Sequence, residues 1–211
     1  KKEFEQYKRL IIKKELIEPK VAYGYFKCKS FGNFVKVYGN KEDVKIVMEF
    51  PRQQKEPYLS IADYFLSEED KSCDIIAFQV VTLGEKPVEY MKSIFSKDKY
   101  KEYYMMHGLF AELAEALAEM VHKIIRVELN IENKETKYNY ADYLFNMKYR
   151  GKRYSFGYPS CPDLRGNQLI GKILPLEKIG VSITEDFQMI PEYTTSAFIV
   201  HNESAKYFTL K

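Results

Sequence analysis

The chain contains no tryptophan, and its three cysteines, Cys28, Cys73 and Cys161, form no Cys-x-x-Cys pair. So sparse and odd a set is no disulfide framework, and it fits reduced thiols in a cytoplasm. No apolar run approaches the roughly 18–20 residues needed to span a bilayer, and no signal peptide opens the sequence, so no membrane partner is expected. An excess of either charge is missing as well. Thirty-three basic residues stand against 30 acidic ones, a net charge of +3, without the concentrated basic stripe that nucleic acid requires. The glycine-rich signatures are also absent. There is no Gly-x-Gly-x-x-Gly, no P-loop and no Gly-x-Ser-x-Gly elbow, so nothing supports a dinucleotide fold, a P-loop site or a hydrolase nucleophile. Glu119-x-x-His122 has the spacing of a di-iron ligand pair, but such sites need the motif twice, and here it reads as a surface pair. His107 and His201 read as structural, and no metal site is expected.

The 211 residues suit one domain, and 18 tyrosines with 14 phenylalanines point to an aromatic core. Phe4, Tyr7, Leu10 and Ile11 recur at helical spacing, which predicts an amphipathic helix over Lys2–Leu16 ended by Pro19. Val21–Phe26 and Phe31–Tyr38 flank a turn at Ser30–Asn33 and read as a hairpin. Gly39-Asn40 is expected to turn the chain into a strand over Val44–Phe50, and Ser60–Phe65 into one or two helical turns. Cys73–Leu83 is almost continuously apolar and reads as a strand buried on both faces. A helix is expected over Pro87–Phe95. Tyr100–Ile131 repeats apolar residues every three and four positions and predicts a long central helix. A further helix over Tyr138–Tyr149, an interrupted one over Gln168–Ile179, and short strands at Val181–Ile183, Phe187–Ile190, Ala197–His201 and Tyr207–Leu210 complete the reading. Strands cluster early and late with helices between them. That order argues for an α+β fold, a single domain built on a mainly antiparallel twisted sheet.

The stretch Arg150–Asp163 carries the most chemistry. Gly157 can adopt positive φ and has no Cβ, so its backbone can approach a ligand. Pro159 and Pro162 stiffen the chain beyond it. Arg153 offers a planar fork of donors suited to a carboxylate, and Tyr154, Phe156 and Tyr158 supply rings. Cys161, flanked by Ser160 and Pro162, reads as structural. On the long helix Glu115 lies about 200° from Leu113 at ~100° per residue, off the apolar stripe. Alanines at 111, 114 and 118 leave room beside it.

Arg153-x-x-x-Gly157-Tyr158-Pro159-x-Cys161-Pro162 resembles the S-adenosylmethionine-binding signature of the activation domain of cobalamin-dependent methionine synthase. The resemblance continues through Ile183-Thr184-Glu185-Asp186-Phe187, Pro191-Glu192, Thr195-Ser196-Ala197 and Ala205-Lys206-Tyr207-Phe208. More weakly it reaches back through Leu113–Glu119 to Pro51-Arg52-Gln53-Gln54. It implies a domain of the methyltransferase, not catalytic in isolation, that presents S-adenosylmethionine to inactive cob(II)alamin. A flavodoxin-type donor would supply the electron, and methylcobalamin would be restored. The ligand-binding residues it implies are Glu115, Arg153, Ser155, Gly157, Tyr158 and Tyr207, with Arg153 on the carboxylate and Glu115 facing the cationic end. No histidine stands in Asp-x-His-x-x-Gly, so cobalamin is expected on a partner module rather than on this chain. The family also uses an aspartate upstream, in a segment this chain lacks, and the Lys-Lys start suggests part of a longer enzyme. Two other readings stay open: a stand-alone factor that reactivates another corrinoid protein, and a docking module for a flavodoxin-type reductase.

Overall fold

A computed structural model describes residues 2–39, 43–95, 99–132 and 149–211. Its centre is a six-stranded antiparallel sheet in the spatial order Val44–Glu49, Phe34–Tyr38, Lys20–Phe31, Asp74–Thr82, Thr194–Val200, Lys152–Tyr154. β1 (Lys20–Phe31) and β2 (Phe34–Tyr38) form the expected hairpin, turned at Gly32, whose φ of +55° needs no Cβ. β3 (Val44–Glu49) extends it. β4 (Asp74–Thr82) lies between β1 and β8 (Thr194–Val200). Its alternate residues serve two cores. Ile76, Phe78 and Val80 face one side with Phe50, Tyr154 and Phe198, whereas Ala77 and Val81 face the other with Ile199. That division explains why its sequence is apolar at nearly every position.

The second face is covered by α3 (Tyr100–Glu128), through Ala118, Val121 and Ile125. α1 (Lys2–Lys13) and α2 (Lys86–Phe95) pack with the first half of α3 around Ile11, Met91, Ile94, Met106 and Phe110. Beneath α3 the buried Gln79 of β4 donates to the Ala118 carbonyl at 3.0 Å. A 3-10 turn at Ile61–Tyr64 is held by a capping box on Ser60. Its Oγ accepts from the Ala62 N–H, and the Asp63 carboxylate accepts from the Ser60 N–H. α4 (Gly166–Gly171) and a second 3-10 turn at Leu176–Ile179 close the first face, and β6 (Ser182–Ile183) pairs with β7 (Met189–Ile190).

The α+β architecture and the long helix are as expected, and the elements differ from expectation mainly in three places. The first helix stops at Lys13, because Glu15 takes a φ of +48°, outside helical geometry. Residues 152–154, expected within a loop, form β5 (Lys152–Tyr154) along β8. Tyr207–Leu210, expected as a strand, joins no sheet among the described residues and runs on from β8 as a strap. The expected helix over Tyr138–Tyr149 lies outside the described residues except for its last position. No helix among the described residues is long and apolar enough to cross a membrane.

Candidate functional site

The register of β5 places the site's cation. Arg153 pairs with Ile199 and Tyr154 with Phe198 on β8. Directly opposed residues share a face, and successive residues alternate. Ile199 belongs to the α3 side, so Arg153 is directed toward that helix. Phe198 belongs to the other core, and the Tyr154 ring stacks on it with centroids 5.6 Å apart. Across the gap, Arg153 Nη2 donates to Glu115 Oε2 of α3 at 2.8 Å. The arginine side chain is mostly buried and the glutamate about half exposed.

These two residues border a cavity of about 510 Å³. Tyr154, Ser155, Tyr158, Pro159 and Ser160 line one side, while Tyr207, Phe208 and Thr209 of the strap line another. The Tyr207 hydroxyl donates to the Arg153 carbonyl at 3.0 Å, and its ring packs against Tyr154 at 5.3 Å. Tyr207 and Phe208 both reach the cavity although strand geometry would turn them apart, because the strap is not held in a ladder. Tyr158 stands at the rim, more than half exposed.

Five of the six expected ligand-binding residues therefore line one cavity. The sixth, Gly157, does not line it. It has φ +91°, and a Cβ there would meet the Leu164 side chain at 2.9 Å. The glycine thus shapes the loop between Phe156 and Cys161, where its N–H donates to the Cys161 carbonyl at 2.9 Å. Cys161 is buried, its thiol donates to the Ser155 carbonyl, and burial pushes its pKa up to about 12, as befits a structural thiol.

Glu119 and His122, expected as a surface pair, lie instead in a buried polar cluster behind Arg153. His122 and Arg126 are fully buried. Arg126 donates to Glu132 at 2.6 Å and to Glu119 at 3.3 Å, and its guanidinium covers the Tyr149 ring at 3.9 Å. Among the described residues neither ring nitrogen of His122 reaches a hydrogen-bond partner, although Nδ1 stands 3.6 Å from Glu119. Burial lowers the His122 pKa. The charges of Arg126 and Arg153 act in the same direction, and Glu119 opposes them. Burial pushes Glu119 up, but His122, Arg126 and Arg153 outweigh it and leave its pKa lowered. The periodicity held a signal for this placement. His122 and Arg126 follow Ala114 and Ala118 at steps of four, on the stripe that packs against the sheet. His107 contacts the Tyr193 hydroxyl, and His201 contacts Asp74. The described residues contain no group of three His, Cys, Asp or Glu side chains able to hold a metal ion.

Comparison with known proteins converges on one family. The profile described as vitamin B12 dependent methionine synthase, activation domain, matches residues 3–211. Methionine synthase of Mycobacterium tuberculosis is 38% identical over 205 residues, covering 90% of this chain, and that of Mycobacterium leprae is 37% identical over 202, again covering 90%. The chain spans 17% of the length of each relative. Among solved structures, the MetH reactivation domain bound to AdoHcy superposes with a TM-score of 0.89 at 24% identity, covering 99% of this chain and 66% of that one.

Proposed function

The chain belongs to the family of activation domains of vitamin B12-dependent methionine synthase, and from that premise we propose that its cavity binds S-adenosylmethionine and presents it to cob(II)alamin held by a cobalamin-binding module of the same enzyme. The observation that carries this reading is the Arg153–Glu115 pair on the wall of an aromatic cavity. S-adenosylmethionine carries a carboxylate together with ammonium and sulfonium cations, and the pair offers one partner for each sign. Arg153 turns its fork to the carboxylate, where charge-assisted bonds are strongest. Glu115, released from the arginine, faces the cations. Tyr158 and Tyr207 wall the nucleoside, the Ser155 backbone meets it, and Gly157 sets the loop that carries Tyr158. AdoHcy, bound by the solved relative, lacks the sulfonium charge but keeps the same carboxylate and ammonium.

The electron and methyl chemistry belong to the two cofactors, and this chain contributes position. The proposed setting is the cytoplasm, with a flavodoxin-type electron donor. Calorimetry with S-adenosylmethionine and S-adenosylhomocysteine tests the site. Losing a charge-assisted contact costs about 1.5–3 kcal/mol, so Arg153→Ala should weaken binding at least about tenfold while the protein remains folded. Arg153→Lys should restore only part of it, because lysine cannot form the fork. Unchanged affinity in Arg153→Ala would refute the assignment. A second arm addresses the division of labour. The isolated chain with the ligand, free cobalamin and a reductant should methylate cobalamin no faster than a protein-free control.

A further inference from the structure

One side of the cavity is built from chain that no sheet holds. Tyr207, Phe208 and Thr209 lie in the strap after β8, and among the described residues the strap joins no strand. Its upstream end is well fixed. Asn202 Nδ2 donates to the Tyr64 carbonyl at 3.0 Å, Ala205 is buried, and the Tyr154 hydroxyl donates to the Lys206 carbonyl at 2.8 Å. Downstream, among the described residues, the backbone of the strap is held from one short segment, Pro51–Gln54. Gln53 Nε2 donates to the Thr209 carbonyl at 2.6 Å, and the Gln54 N–H reaches the Leu210 carbonyl at 3.4 Å.

That segment is itself clamped. Arg52 makes a two-pronged pair with Asp63 at 2.6 and 2.7 Å, and its Nε donates to Asn33. Asp63 also closes the capping box on Ser60, whose hydroxyl donates to the Phe50 carbonyl. Gln53 is fixed through both its peptide unit and its side chain: its N–H donates to the Leu59 carbonyl, and its Oε1 accepts from the Leu59 N–H at 3.1 Å. The amide therefore uses an acceptor on one side and a donor on the other. A primary amide of this reach supplies both, whereas a carboxylate supplies acceptors alone.

We propose that Gln53 is a positioning residue for the ligand cavity, acting as the clip that holds the strap's Tyr207–Thr209 stretch against the pocket. This rests on the reading of the cavity as the S-adenosylmethionine site. The residue touches no ligand. It joins an arch formed about a hundred residues before Arg153 to a wall formed about fifty after it, and gives Pro51-Arg52-Gln53-Gln54 a task that its place in the chain does not suggest.

The test compares Gln53→Met and Gln53→Glu in the full-length protein, by calorimetry with S-adenosylmethionine, with thermal melts to show that each is folded. Wild type should bind. Gln53→Met should lose about fivefold in affinity, the scale of one net hydrogen bond. Gln53→Glu should lose more at pH 7.5, since a carboxylate meets the Thr209 carbonyl oxygen. Relative to wild type it should recover as the pH falls toward 5, as the protonated acid regains a donor. Gln53→Met should show no such recovery, which separates the clip from a general loss of packing. If wild type binds and both variants remain within twofold of it at every pH, the inference is overturned and the site reading stands. If wild type does not bind, the site reading itself falls, and the inference with it.

Discussion

Two arginine–glutamate clusters, one of two residues and one of three, draw on neighbouring turns of α3 and differ chiefly in what surrounds them. Arg153 and Glu115 meet on a cavity wall, with the glutamate half exposed. Arg126, Glu119 and Glu132 meet under the protein surface, with the arginine fully buried and an aromatic ring against its guanidinium. Glu115 and Glu119 are one helical turn apart, yet burial gives the pairs different physics. A fully buried arginine exchanges partners only at a high cost, because a charge left alone in a poorly solvated interior is unfavourable. A pair beside an open cavity can exchange them, because water or a ligand takes the place of whatever departs. The inner pair therefore suits architecture and the outer one recognition.

The largest expected effect lies in the inner cluster. Arg126→Met leaves two carboxylates without their cation and should cost about 3–5 kcal/mol in stability, read from the midpoint of urea unfolding. The matching change outside, Arg153→Met, breaks a partly exposed pair and should cost about 1 kcal/mol or less, although it should abolish most ligand binding. Equal stability losses in the two variants would erase the distinction. Next in size is Gly157→Ala. The positive φ and the Leu164 contact should destabilise the loop by about 1 kcal/mol or more, seen as a lowered melting temperature with a matching loss of affinity.

The smallest effect is a pH slope. Because the folded-state pKa of His122 is lowered, the unfolded chain binds the proton more readily. That contribution to stability is fully present above the unfolded value near ~6.5 and is lost as pH falls below it. Replacing His122 with a non-titrating residue should flatten the loss of stability between about pH 7 and 5, measured by unfolding at each pH.

Much of the fold is legible because burial leaves a period in the sequence. The two-sided core around β4 shows as an unbroken apolar run, and the α3 stripe as a three–four repeat. β5 is not legible. Three residues give no period, and only the partner strand β8 makes them a strand. Tyr207–Leu210 misleads for the opposite reason: its composition suits a strand, yet it takes no strand partner among the described residues, and its rings go to the cavity instead. Glu119 and His122 read as surface residues because charged and titratable types usually lie there, although their positions on the helix point inward. Within the site, residue types suggest Arg153 and Glu115 separately. That they face each other requires the register of β5 against β8.

The Arg153–Glu115 pair has one more consequence, for ionic strength. A lone arginine in a cleft gathers counter-ions, and an anion that binds there must displace them, so affinity falls as salt is added. Here the counter-ion is part of the protein. On the proposed reading, a ligand bearing both charges replaces one internal pair with two intermolecular ones, and the cavity releases little to the solution. Affinity for S-adenosylhomocysteine, whose amino-acid end is neutral overall, should accordingly be nearly level across added salt. With Glu115→Gln the arginine loses its hydrogen-bonded counter-ion, and the same titration should slope downward.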